Sequence, residues 1–321
     1  MSIRRAWAAV LDPDVFLEPG ALAAFFLGIG KTPALGERGL IVWNIRVPRV
    51  LVAGLVGANL AVSGAIFQAI TRNELASPFV LGVSSGSGLA VLLTLVIFPS
   101  LSAFLPMFAA LGGTLAFVLV CVIAWQGGTS PIRLVLAGVV VEMVFRSLQR
   151  GLFFFADDLG VVQTALAWTT GSLTGTDWEQ VRLVLPWTVI AVALALAAAR
   201  QLNVLLLGER TARSLGMSVE RVRFALAGVA ILAAASSVAV AGIVGFVELI
   251  VPHIVRAIVG SDYKRLVVGC VFAGPALVVS ADVGARLALS PTQLPAGIVT
   301  SLLGGPYFLY LMRRRDSLGD I

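Results

Sequence analysis

Val240–Arg265 reads VAGIVGFVELIVPHIVRAIVGSDYKR, and the fold follows from how that stretch can sit in a bilayer. It is apolar enough for hydrocarbon, yet Gly242, Gly245, Pro252 and Gly260 interrupt any single long helix. An unpaired backbone N–H or C=O in lipid costs several kcal/mol, so a broken segment at that depth must lie against other protein or a water-filled cavity. Such a segment is a candidate for moving machinery. Glu248, Pro252 and His253 within it are therefore candidates for a translocation path, with a purely structural partner as the alternative for each. Asp282 is a further intramembrane acid to which the same reasoning applies.

Working outward, 59% of the 321 residues are hydrophobic and 12% charged, with a mean hydropathy of +0.99. Soluble chains carry roughly 25% charged residues. The class is therefore all-α and polytopic, a transmembrane helix bundle with room for about ten crossings and no separate water-soluble domain. A net charge of +6 would suggest nucleic acid in a soluble protein; here it reports membrane orientation, and nucleic-acid binding is excluded. Cys121 and Cys270 lie in apolar runs and read as buried small hydrophobes. The single histidine, His253, has no cysteine neighbour and makes no metal site.

Nine apolar segments are expected at 50–70, 83–98, 107–125, 132–155, 181–199, 224–241, 246–259 (short and broken), 266–287 and 296–312. Residues 1–45 form an N-terminal region whose apolar run, Leu17–Gly30, is too short for a clear span; it reads as a short or re-entrant helix, an interfacial one, or the end of an incomplete first helix. Residues 46–321 form the membrane domain. Basic loops mark the cytoplasmic side. Counting back from Arg313, Arg314 and Arg315, alternating crossings place Lys264, Arg265, Arg200–Arg223, Arg133 and Arg72 there, while Asp157, Asp158, Asp177 and Glu179 fall outside. This parity holds only if the broken segment counts as one crossing. Gly57, Ala61 and Ala65, and Gly82 with Gly86, are spaced for close helix packing. VSGAIF at Val62 weakly echoes VAGIVGF at Val240 in spans of opposite direction, as an inverted repeat would.

GIGKT at Gly28–Thr32 is not a phosphate-binding loop: the first glycine of G-x-x-x-x-G-K-[ST] would fall at Phe25. The basic segment Arg200–Arg223, RQLNVLLLGERTARSLGMSVERVR, reads as two short surface helices, serving either lipid headgroups or a soluble partner. Arg46 and Arg49, with Arg286, put positive charge on the outer side against the loop-charge rule. Guanidinium suits bidentate carboxylate contact, and headgroup contact is the alternative. Glu142, Arg146 and Arg150 lie at i, i+4 and i+8 on one helix face; Glu142 and Arg146 either neutralise each other between helices or line a path, and Arg150 snorkels outward.

GFVELIVPHIVR with GSDYKR, RVPRVLVAGLVGANLAVSGAIFQ, TRNELASPFVLGVSSGSG, LAGVVVE, WTTGSLTGTDWEQV, LNVLLLGERTARSLG and LPAGIVTSLLGGPYFLYL together resemble the FecCD-type permease subunits of iron-siderophore, haem and vitamin B12 ABC importers, from Arg46 to about Leu311. The resemblance implies a type II ABC importer permease of nine to ten spans with one short broken helix, embedded in the bacterial inner membrane. It pairs with a second permease subunit, as a homodimer or with a similar chain, carries two ABC ATPase subunits that bind ATP and magnesium, and receives cargo from a periplasmic binding protein. The chain itself binds no cofactor and does no covalent chemistry. By the same resemblance Arg46, Arg49 and Arg286 dock acidic residues of the binding protein, and Leu207, Gly208, Glu209, Arg210, Ala212, Arg213, Leu215 and Gly216 couple to the ATPase. Glu142, Glu248 and Gln293 depart from the family's usual residues, which leaves the cargo, a ferric chelate by this reading, open to haem or cobalamin. An ion-coupled secondary transporter is the rival of another class, and would need Glu142, Glu248 or Asp282 to carry protons. An intramembrane enzyme would need a nucleophile and base at reachable spacing, which the sequence lacks.

Overall fold

The computed structural model describes residues 7, 10–11, 15, 18–30, 33, 35–126, 130–155, 159–288 and 293–316, so Lys31 and Thr32 of the GIGKT run, Asp157, Asp158 and residues 289–292 of the outer-mouth stretch lie outside the described residues. Every regular element among them is helical. In chain order these are α1 (Pro19–Leu27), α2 (Glu37–Thr71), α3 (Val83–Ile97), α4 (Leu105–Ala124, preceded by a 3-10 turn), α5 (Pro131–Phe153), α6 (Leu159–Thr170), α7 (Trp178–Ala197), α8 (Ala199–Leu206), α9 (Glu209–Ser214), α10 (Val219–Ala241), α11 (Val247–Val259), α12 (Tyr263–Ala288) and α13 (Ala296–Asp316). Among the described residues five stretches, Glu37–Thr71, Pro99–Ala124, Trp178–Ala197, Val219–Ala241 and Tyr263–Ala288, are long and apolar enough to cross a bilayer, which makes this a multi-pass membrane protein.

Helix starts follow the chain's local chemistry. Proline occupies the first turn of α1, α4 and α5, where its missing N–H costs nothing. Asp177 and Gln180 form a reciprocal capping box on α7.

Two elements differ from the hydropathy reading. The first clear span begins at Glu37 rather than near Val50, running through a π-helical turn at Val42–Arg46, so the division drawn at residue 45 falls inside one continuous rod. Charges at Glu37, Arg38, Arg46 and Arg49 made that extension look like a flank. Second, α6 sits in what read as a loop, because Gln163, Thr164, Thr169 and Thr170 dilute its apolar pattern. The N-terminal run forms only α1, whose nine residues cover about 14 Å and cannot span. Phe25 instead stacks against Trp43 and Trp178, at centroid distances of 5.3 and 5.2 Å, and Arg182 donates to its carbonyl at 2.9 Å.

Helix α2 is the axis of the bundle: every residue from Val56 to Thr71 is buried, against α7, α10, α11 and α12. Lipid offers no hydrophobic drive for helix association, so contact must come from close backbones and buried hydrogen bonds. Both are present. A Cβ on Gly57 would lie 2.3 Å from the Gly274 carbonyl oxygen, and one on Gly64 would lie 1.9 Å from that of Glu248. Asn59 donates to Thr188 and Ser236 at 2.9 and 3.2 Å, and Ser63 donates to the Ala230 carbonyl at 2.6 Å. Gly86 packs on Gly112 and Ala116 of α4, and Gly82, the left-handed N-cap of α3, faces Ala116 and Val120 of the same helix, so the pair lines one contact with α4.

The broken segment is seated as the bilayer requires. After α10 the chain turns at Gly242 (φ +68°), runs irregularly to Phe246 (φ +67°), and re-enters as α11. Ile243 N–H donates to the Trp168 carbonyl and Ser172 N–H to that of Ala241, both at 2.9 Å, while Gly297 N–H reaches the Gly171 carbonyl at 3.0 Å. The end of α6 and the turn after it thus satisfy freed backbone groups, and the start of α13 is bonded to that same turn. Three glycines permit this: Cβ atoms at Gly171, Gly242 and Gly297 would stand 2.5, 2.3 and 2.1 Å from facing carbonyl oxygens. Helix α11 then runs back to the end where α12 begins.

Candidate functional site

At the arginine-rich end, α8 and α9 lie between α7 and α10, hinged by Gly208 and Gly216 at φ +100° and +81°. Six α9 residues cannot stand alone; buried Ala212 and the acid Glu209 anchor them. Arg223 of α10, 3% exposed, pairs with Glu209 and, at 3.2 Å, with Glu220. Of the eight residues expected to couple to an ATPase, Glu209 and Ala212 therefore face inward and hold the element. Leu207 and Leu215, 60% and 63% exposed, with Arg210, Arg213 and Gly216, form its outer surface. Gly208 sits against the guanidinium of Arg72, the residue whose backbone N–H caps the end of α2. Asn203 of α8 donates to the Asp262 carboxylate and accepts from Tyr263 N–H, both at 2.9 Å. Asp262 also accepts from the Arg265 N–H, and that bond, then Asn203, holds its carboxyl below the usual aspartate range. The surface element is thereby tied to two membrane helices, α2 and α12.

Beside it, His253 of α11 lies edge-on to the Tyr307 ring of α13, at a centroid distance of 6.3 Å. Its Nδ1 lies 3.7 Å from Glu74 of the loop after α2, and Arg256 reaches the same carboxylate at 3.4 Å and Gln68 at 3.1 Å. Pro252 is buried inside α11. Glu248, 2% exposed, takes a hydrogen bond from Ser77, and its Oε2 has no partner among the described residues.

The opposite end separates the three arginines expected to dock a partner. Arg46 is exposed. Arg49 is buried: Nε and Nη2 hold Asp282 at 2.7–3.2 Å, and Nη1 donates to Gln293 at 3.0 Å. Arg286, one-third exposed, reaches the same Asp282 at 3.3 Å. A guanidinium whose donors are spent on a buried carboxylate is not a free docking charge, so Arg49 staples α2 to α12, and of the three Arg46 and, in part, Arg286 present charge at the surface.

On α5, Glu142 and Arg146 pair at 2.7 Å, with side chains 24% and 58% exposed. The helix is held in rotation by Gln149, which donates to the Ser85 carbonyl of α3 at 2.7 Å. A separate cavity of about 840 Å³ between α4, α7 and α10 has Phe117, Trp187, Phe224 and Ile231 in its wall. Its apolar lining suits lipid tails rather than a polar cargo. No cluster of three His, Cys, Asp or Glu side chains forms among the described residues. The sequence reading missed Arg72, Asn203, Glu74 and Arg256 as connectors, since each acts across a fold contact that spacing does not reveal.

Comparison with known proteins bears on the whole bundle. The FecCD transport family model matches residues 14–314. The Fe(3+)-citrate import system permease protein YfmD of Bacillus subtilis is 39% identical over 279 residues, covering 87% of this chain and 83% of that protein. The vitamin B12 import system permease protein BtuC of Vibrio cholerae is 40% identical over 280 residues, covering 86% and 84%. A solved structure assigned to the metal-chelate type of ABC transporter, in an inward-facing conformation, superposes with a TM-score of 0.80 at 27% identity, covering 98% of this chain and all of that one. With 301 consecutive positions inside the family model, and blocks at both ends of the bundle that resemble it, this chain belongs to the FecCD transport family.

Proposed function

We propose that this chain is the permease subunit of an ATP-driven importer that carries a ferric chelate across a bacterial inner membrane. It works as one of two permease subunits, with two ATPase subunits that bind ATP and magnesium and a periplasmic binding protein that delivers cargo. One observation carries the reading. The exposed Leu207–Leu215 surface, rimmed by Arg210 and Arg213, continues into α8, whose Asn203 is hydrogen-bonded at the start of α12, and its Gly208 lies against Arg72 at the end of α2. An apolar patch with a basic rim is what a soluble partner docks on, and its ties to membrane helices make docking mechanical. ATPase closure would move α8 and α9, and with them the ends of α2 and α12, shifting the bundle between two arrangements.

The named cargoes of the relatives differ, iron citrate in one and vitamin B12 in the other, at nearly equal identity. Haem or cobalamin would use the same machinery. The test is reconstitution: the chain with its ATPase in proteoliposomes, with loaded binding protein added from outside. Stimulated ATP hydrolysis and iron uptake are expected. Uptake that survives ATP depletion but collapses with a protonophore refutes the reading in favour of ion coupling.

A further inference from the structure

Helix α5 carries Glu142 near its midpoint, Arg146 one turn on and Arg150 one turn further. Charge at the centre of a membrane-spanning helix is costly in lipid and is found facing protein or a water-filled cavity. Yet this stripe is not covered by the chain: Arg146 is 58% exposed and Arg150 is exposed. Gln149, on the same edge, is bonded to the Ser85 carbonyl of α3, so the helix cannot rotate the stripe inward. Beside it, Leu136, Val140 and Met143 form an exposed apolar face suited to lipid or a second copy. Exposed on one subunit and costly in hydrocarbon, the stripe calls for water or a partner surface in the assembled transporter.

Resting on the import reading above, we infer that the Glu142–Arg146–Arg150 edge of α5 is a charge filter in the translocation path, selecting ferric chelates that are anionic. Two guanidiniums against one carboxylate leave each subunit one net positive charge, and a two-fold pair of subunits doubles it. Guanidinium donors match carboxylate and other oxyanion groups bidentately. Glu142 has a second part. Paired with Arg146 at 2.7 Å, it competes with the cargo for the guanidinium, which keeps contact weak enough for release. Arg150 meets the cargo first if α5 runs outward, as its basic start at Arg133 indicates.

The experiment uses the reconstituted transporter with two probes, ferric citrate and a neutral ferric trihydroxamate, each delivered at saturating concentration and followed by radio-iron uptake. R146Q and R150Q each remove the subunit's one net positive charge while keeping the stripe's shape, and R146K keeps the charge without the planar fork. R150Q leaves the Glu142–Arg146 pair untouched and guards against a variant that does not assemble. Loss of one charge-assisted contact predicts that R146Q loses about tenfold in ferric citrate kcat, with R150Q losing less and R146K retaining part. Trihydroxamate uptake is unchanged in all three. Equal losses for both probes, or ferric citrate uptake unchanged in both R146Q and R150Q, makes the stripe structural and overturns the filter. Wild-type uptake of neither probe refutes the ferric-chelate reading itself, and the filter with it.

Discussion

Arg49→Met tests how the end opposite the arginine-rich loop is held. Asp282 is 5% exposed in its side chain and receives three contacts from Arg49 and one, at 3.3 Å, from Arg286. Removing one partner of a buried pair costs about 3–5 kcal/mol, chiefly because the other is left charged and dry. Arg286 stays to compensate in part, so Arg49→Met should fall near the lower bound, about 3 kcal/mol. Asp282→Leu leaves Arg49 with only Gln293 and should cost about 4 kcal/mol. The double variant exchanges an ion pair for apolar packing and should return to within about 1 kcal/mol of the wild type. Reversible unfolding in mixed micelles would measure all four corners of the cycle, and the coupling should amount to several kcal/mol. An Arg49→Met loss under about 0.5 kcal/mol, or a double variant as unstable as the singles summed, would show that the pair does not staple α2 to α12.

Four further outcomes are expected. Arg46→Glu should weaken binding-protein affinity more at low salt than at high, since an exposed docking charge is screened; unchanged affinity would remove Arg46 from the docking surface. Leu207→Glu with Leu215→Glu should leave the permease folded but abolish its co-purification with the ATPase, and retained binding would place the interface elsewhere. Gly242→Ala meets both a left-handed φ and a carbonyl 2.3 Å away, and should cost about 2–4 kcal/mol or prevent assembly, read as loss of the monodisperse peak in size-exclusion chromatography. Because Asp262 has a depressed folded-state pKa, its clamp on Asn203 is fully present above the unfolded value near pH 3.9 and is lost as pH falls through the lower folded value. A carboxyl NMR titration showing an ordinary midpoint for Asp262 would remove that clamp.

How far the chain could be read before folding varied with the kind of contact. Glu142 and Arg146 were legible as a pair because a helix brings i and i+4 together without help from the rest of the molecule. The broken segment was legible because glycine and proline mark where a helix stops. Its partners were not: the Trp168 carbonyl and the Ser172 N–H lie far along the chain, in or just after a helix whose threonines disguised it. Arg49 was misjudged for a related reason. Position and charge sign made it a surface arginine, and only the approach of α12, 233 residues on, turned it inward.

Composition and hydropathy by themselves determine that this is a many-helix membrane protein with a basic loop on one side, since in lipid a chain of such makeup has no other way to satisfy its backbone. The motif blocks in sequence order also suffice to place it in its family. What tertiary structure alone decided is the office of each charge: Arg49 and Glu209 spent inside as staples, Arg46 and Arg213 left outside, Glu74 joined to His253 and Arg256. A side chain's charge is written in the chain, but the dielectric and the counter-charge it meets come from residues that only folding brings within a few ångströms.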